Sequence, residues 1–192
     1  LGLWALIHDA LRAAVRVQEQ REPEPTAGII DSQSTKGTAT AGSGGYDAGK
    51  KIQGRKRHLL VDTIGMVLVV VVSTANIQDR DGAKLVFARA GAECSQLKKV
   101  WADGGYAGQL VDWVRETQGW TLEIVKRNTD LTGFQVLPRR WVVERTLSWI
   151  SNCRRLSKDY EFHESTSEAM VHLAMTRLML RRLTTPAKQS TA

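Results

Sequence analysis

Three acidic residues of this chain have the type and placement that metal-dependent chemistry at phosphorus requires: Asp31 in GIIDSQS, Asp103 in VWADGGY and Glu144 in RRWVVERT. Carboxylates are hard oxygen donors, suited to Mg²⁺ or Mn²⁺ rather than zinc. Two such ions about 3.5–4 Å apart activate an attacking oxygen and stabilise a leaving one during in-line displacement. On that scheme Asp31 bridges the ions, and Asp103 and Glu144 each complete one site. Each acid has an ordinary explanation as well. An aspartate ending a strand often caps a turn, and a helical glutamate often belongs to a solvated, salt-bridged face. The three together carry more weight than any one, and only folding can bring them together.

The elements that must position them are legible as a coarse pattern. Leu3, Leu6, Ile7, Leu11, Ala14 and Val15 share a face of an amphipathic helix, which Pro23 and Pro25 end. Residues 27–31 form a first strand ending on Asp31. His58-LLVDTIG-MVLVVVVSTA reads as a buried hairpin turning at residues 62–65. A helix over 82–92 follows, with Asp79 and Asp81 as candidate caps, and Asp62 fits a turn. Then come a strand over 98–103, a tight turn at Gly104-Gly105, a helix over 107–117 and a strand over 121–125. Past a loop containing Gly133, Pro138 opens a helix running to about residue 159, and a last helix covers 165–183. Three strands followed by strand–helix alternation predict an α/β fold, a mixed sheet flanked by helices. This is the element order of a ribonuclease H-like domain over 27–183, after an N-terminal helix (1–22) and before a polar tail (184–192).

On a helical wheel begun at Val142, the residues Trp149, Cys153, Leu156 and Tyr160 join it in the core stripe. Arg140, Glu144, Ser148, Ser151 and Arg155 fall opposite, placing one carboxylate between two arginines that could bind phosphate.

The composition favours a polyanionic partner. Among 192 residues, 27 Lys and Arg outnumber 20 Asp and Glu, a net charge of +7. Part of the excess lies in SQSTKGTATAGSGGYDAGKKIQGRKR, polar, glycine-rich and without apolar period, expected to be a long loop over 32–57. Its Lys36, Lys50, Lys51, Arg55, Lys56 and Arg57 are candidate contacts to a DNA backbone. Cys94 and Cys153 make neither a metal-ligand pair nor a disulfide framework, which suits a reducing cytoplasm. No apolar run is long enough to span a bilayer, so no membrane role is expected. A chain opening on Leu1 inside a half-formed helix reads as the downstream part of something longer.

The strings IIDSQS, YDAGKKIQGRKRHLLVDTIG, ANIQDRDGA, VWADGGYAG and VLPRRWVVERTLSWISNCRRLSKDYE closely resemble the DDE transposases of bacterial insertion-sequence family five, over roughly residues 28–183. The resemblance implies a ribonuclease H-like catalytic core with Asp31, Asp103 and Glu144 as its triad. It implies Mg²⁺-dependent cleavage of double-stranded DNA at the element ends, then attack of the freed 3′-hydroxyl on target DNA. A homodimer on DNA and a bacterial, nucleoid-associated location are further expectations from the family. Two positions depart from the family's wider signature around the glutamate: Leu137 stands at its tyrosine place and Ser151 at its lysine place, with Arg155 one turn beyond as a candidate substitute. Alternative readings are a nuclease of the same fold, or a truncated DNA-binding product that regulates an intact transposase.

Overall fold

The computed structural model describes residues 2–125 and 139–185. Their elements are α1 (Leu3–Gln18), β1 (Ala27–Lys36), β2 (Gly45–Asp47), β3 (Ile52–Asp62), β4 (Val67–Thr74), α2 (Asp79–Glu93), β5 (Lys99–Ala102), α3 (Gln109–Gln118), β6 (Thr121–Ile124), α4 (Arg140–Ser151) and α5 (Glu164–Thr184). The expected Gly133 loop, Pro138 helix start and Leu137 lie outside the described residues.

One mixed sheet organises the chain. β3 pairs antiparallel with β1 on one side, and with β2 and then β4 on the other. β1 pairs parallel with β5, and β5 parallel with β6. The order β4-β3-β1-β5-β6 is the ribonuclease H-like sheet that the element order predicts, with β1 at its centre. Strand side chains alternate between faces, and two cores result. Ile30, Leu60, Val100 and Ala102 pack toward α2 and α3. Ile29, Leu59, Trp101, Val143 and Ile150 pack on the α4 and α5 side. Among the described residues no helix is long and apolar enough to cross a membrane.

The expected loop over 32–57 is mostly sheet. β1 runs on to Lys36, and β3 begins at Ile52, carrying Arg55, Lys56 and Arg57 within a strand. The polarity of these residues hides the alternation that the backbone obeys. Arg55 and Arg57 point to the α5 side, whereas Lys56 and His58 point to the α2 side. Gly82 of α2 leaves room for the His58 ring, where a Cβ would collide with it.

Three helix readings need revision. In α1 the buried face is Ala5, His8, Arg12, Val15 and Arg16, while Leu3 and Leu6 are exposed. Arg16 makes a buried 2.6 Å ion pair with Asp62, so the helix docks through charge as well as apolar area. Asp62 also accepts from the backbone N–H of Ile64 and Met66, which is the turn role expected of it. The N-cap of α2 is Gln78, without a side-chain cap bond, and not Asp79 or Asp81. α4 stops at Ser151 rather than near residue 159, and its buried stripe is Val142, Val143, Thr146, Leu147 and Ile150.

Candidate active site

β1 and β5 place two of the acids. Their last paired positions are Ile29 and Trp101. Two residues further on each strand come Asp31 and Asp103, on the same face as Ile29 and Trp101. That is the side covered by α4 and α5. Asp103 stands just past the carboxyl end of β5, whereas Asp31, expected to end its strand, lies in the middle of β1, beyond the last residue paired with β5. Asp31 Oδ1 accepts the Ser32 backbone N–H at 2.7 Å. Asp103 Oδ1 accepts the Gly105 N–H at 2.8 Å and caps a 3₁₀ turn over Gly104–Tyr106. A Cβ on Gly105 would stand only 2.9 Å from that oxygen, so this glycine serves the close approach, while the Cβ position of Gly104 is open.

α4 brings the third acid. Its Ser151 and the Gln33 side chain of β1 share a 2.9 Å hydrogen bond, which pins the helix across the strand that carries Asp31. Glu144 is exposed on α4 and accepts a 2.8 Å hydrogen bond from Arg140 Nη2, one helical turn earlier. The same nitrogen lies 3.8 Å from Asp103 Oδ2. One guanidinium therefore joins a strand-end acid to the helical acid. Asp31 feels the same neighbours. Burial is the largest influence and raises its pKa to about 6, helped by the like charge of Asp103 and opposed by the Ser32 N–H, Arg140 and Lys50.

The three acids thus lie around one guanidinium, that of Arg140. Among the described residues, though, no three His, Cys, Asp or Glu side chains are gathered tightly enough to hold one ion. The donor set is carboxylate oxygen throughout, which fits a hard divalent cation.

The family described as the transposase DDE domain matches residues 22–179, a stretch that encloses all three acids. The chain belongs to that family. A Burkholderia cepacia protein, to which a transposase role for insertion sequence element IS402 is ascribed, is 30% identical over 115 residues, 56% of this chain and 54% of that protein. The matched stretch spans about half the length of that relative. Among solved structures, the catalytic domain of Mos1 mariner transposase is similar with a TM-score of 0.43 at 8% identity, covering 95% of this chain and 92% of that one. The Mos1 mariner paired-end complex with Mn gives 0.37 at 11% identity, covering 95% and 62%.

Within this transposase DDE domain, the candidate DNA contacts separate into two groups. Lys36, Lys50 and Lys51 are exposed, and Arg140 stands at the acidic rim. Arg55, Lys56 and Arg57 are buried and spent on the fold. Arg55 pairs with buried Asp159 at 3.3 Å and donates to the carbonyls of Ser43, Glu161 and Phe162. Lys56 pairs with Asp79 at 2.9 Å and lies 3.4 Å from Asp47, and Arg57 donates to the Leu156 carbonyl. None of these three can reach a phosphate. Arg155 lies beyond the end of α4, in a 3₁₀ turn over Arg154–Leu156, with its guanidinium 2.7 Å from Glu161. It does not extend the Arg140–Glu144 face, because the helix breaks at Asn152 and Cys153.

The sequence reading missed residues that support the site from below. Ser32 Oγ bonds Asp79 on the opposite face of the sheet, and Arg80 donates to the Gly105 carbonyl beside Asp103. Buried Tyr106 feels the charges of both Asp31 and Asp79. The signal available was the string WADGGY itself, whose aromatic lies one turn past the acid.

Proposed function

We propose that this domain is the catalytic part of a DNA transposase of the insertion-sequence-five type, cutting phosphodiesters at element ends and joining them to target DNA. The observation that carries this reading is the side-by-side placement of Asp31 and Asp103, with Glu144 linked to Asp103 through Arg140, in a chain of the transposase DDE domain family. In the first step the oxygen of a water forms a bond to phosphorus and the 3′-oxygen of the element leaves. In the second, that 3′-hydroxyl oxygen attacks a target phosphodiester and expels the target's own 3′-oxygen. A pair of Mg²⁺ or Mn²⁺ ions held by Asp31, Asp103 and Glu144 would supply Lewis-acid activation of the attacking oxygen and relief of charge on the leaving one.

The chain's own residues bind and align the substrate. Arg140 gives up its two carboxylates and donates to two oxygens of one phosphate, a bidentate pairing that suits guanidinium geometry. Lys36, Lys50 and Lys51 hold the flanking backbone of the duplex. DNA as partner places the protein with the bacterial nucleoid, and pairing of two ends would call for a homodimer on DNA.

The test is nicking of a duplex carrying the element's terminal repeat, with Mg²⁺ or Mn²⁺ supplied. Asp31→Asn and Asp103→Asn should abolish nicking while leaving DNA affinity in place. Nicking retained by either variant would place the chemistry elsewhere.

A further inference from the structure

We propose that the groove between the end of α4 and the C-terminal half of α5 binds a single strand of DNA. The groove has a volume of about 530 Å³, and its accessible apolar surface is that of half-buried Ala174 and Leu178, above the fully buried Ile150 and Met175. Arg177, Arg181 and Arg182 form one wall, and Trp149 forms another. No acid lines it among the described residues, and none of the triad reaches it.

The arrangement of charge is what marks it as a site. Arg177, Arg181 and Arg182 bring three cations within six residues of α5 to one groove, whereas Arg12, Arg16, Arg55, Arg89, Arg115, Arg140 and Arg155 each have a carboxylate of their own. Among the described residues Arg177, Arg181 and Arg182 have none. A fourth arginine is added from α4. Arg145 stacks 4.5 Å from the Trp141 ring centre and 4.6 Å from that of Trp149, and Arg182 lies 5.0 Å from Trp149. Two like charges thus share one indole, and the pKa of Arg145 is lowered by burial first and then by the Arg182 guanidinium beside it. Cations near the end of α5 suit the helix dipole, which accounts for Arg181 and Arg182. It does not account for Arg177, or for the tryptophans interleaved with arginine on α4.

Uncompensated arginines beside an aromatic wall and an apolar floor are what unpaired nucleic acid requires: phosphates on the cations, bases against the apolar surface. A duplex is too broad to enter a cleft of this size and would touch only its rim. α4 also carries Glu144, five residues and about 7.5 Å along the helix axis from Trp149. The groove therefore opens near the acidic rim but on another face of the same helix. This reading goes beyond strand cleavage and uses none of its residues.

The experiment is fluorescence anisotropy of a labelled oligothymidylate, without divalent ions, at several salt concentrations. The wild-type chain is compared with the Arg177→Gln/Arg181→Gln double variant. Both side chains are exposed, so the variant folds, and a thermal melt checks that it does. The expected result is about a tenfold loss of affinity, with a salt slope shallower by about 1.4, corresponding to two single-strand phosphates. Duplex affinity should stay within twofold. Unchanged oligothymidylate binding would overturn the proposal, as would an equal loss for duplex. Loss of self-association in sedimentation with strand affinity retained would also overturn it, assigning the groove to a second copy of the chain. The result is independent of whether Asp31→Asn abolishes nicking, so the two readings fail separately.

Discussion

Asp31 and Asp103 stand at matching positions on neighbouring parallel strands, two residues past the pair Ile29 and Trp101. Two like charges in such positions are a structural liability, and burial of Asp31 compounds it. Sites that concentrate like charge in this way are characteristically functional.

The liability can be measured. The folded state raises the Asp31 pKa from 3.8 to about 6, so it holds the proton more tightly than the unfolded chain does. The wild-type protein therefore loses stability as pH climbs through that window, and Asp31→Asn avoids the loss. In EDTA at pH 7.5 the variant should be more stable by roughly 1–3 kcal/mol in urea unfolding, the difference vanishing near pH 4. Equal stability at pH 7.5 would contradict the electrostatic description of the site.

Arg140 links Asp103 to Glu144 at the surface, so its contribution to folding is small. Arg140→Gln should change stability by less than about 1 kcal/mol. Binding to duplex DNA should weaken, with the salt slope falling by about 0.9 as one phosphate contact is lost. Titrating affinity across salt concentrations checks both, and an unchanged slope would reduce Arg140 to surface charge.

Arg55 and Lys51 lie four residues apart in sequence and should behave in opposite ways. Arg55→Ala strands the buried Asp159 carboxylate and should cost about 3–5 kcal/mol. Lys51→Ala, at an exposed position, should leave stability within about 0.5 kcal/mol and act on DNA affinity alone. Thermal melts and binding isotherms of the two variants, read side by side, separate structural from partner-facing cations.

Two histidines should dominate the response to acid. Burial lowers the pKa of both His58 and His172 to about 4. Their unfolded forms take up protons first, near pH 6.5, so stability is lost as pH falls from there toward 4, at up to about 1.4 kcal/mol per pH unit for each. Asp31 acts in the opposite sense over part of this range and masks some of the loss. The acid limb should therefore be steeper in Asp31→Asn than in the wild-type chain, which urea midpoints at half-unit pH steps will show.

The acids stood out as candidates because each ends or interrupts an apolar run, and the mixed sheet was legible because the hairpin of β3 and β4 is strongly aliphatic. The run from Ser32 to Arg57 was not legible. Its strand residues are polar on both faces, since Arg55 and Arg57 are neutralised by groups from one side of the sheet and Lys56 by groups from the other. Periodicity of hydrophobicity cannot register a strand whose buried positions are charged. The face of α1 was misread for the same reason, because His8, Arg12 and Arg16 are buried where Leu3 and Leu6 are not. The end of α4 was misplaced because LSWISNCRRL keeps helical spacing through a break that no glycine or proline marks.

Burial of Arg55, Lys56 and Arg57 also changes what the basic character of the chain means. Arg55 and Lys56 are matched by the acids Asp159, Asp79 and Asp47, and Arg57 by the backbone carbonyls of Leu156 and Lys158, so an approaching polyanion meets little of their charge. The outward potential belongs to exposed side chains instead, among them the lysines at positions 36, 50 and 51 and the arginines at 177 and 181 of α5. A polymer drawn to this protein would feel these side chains and not the basic run of β3.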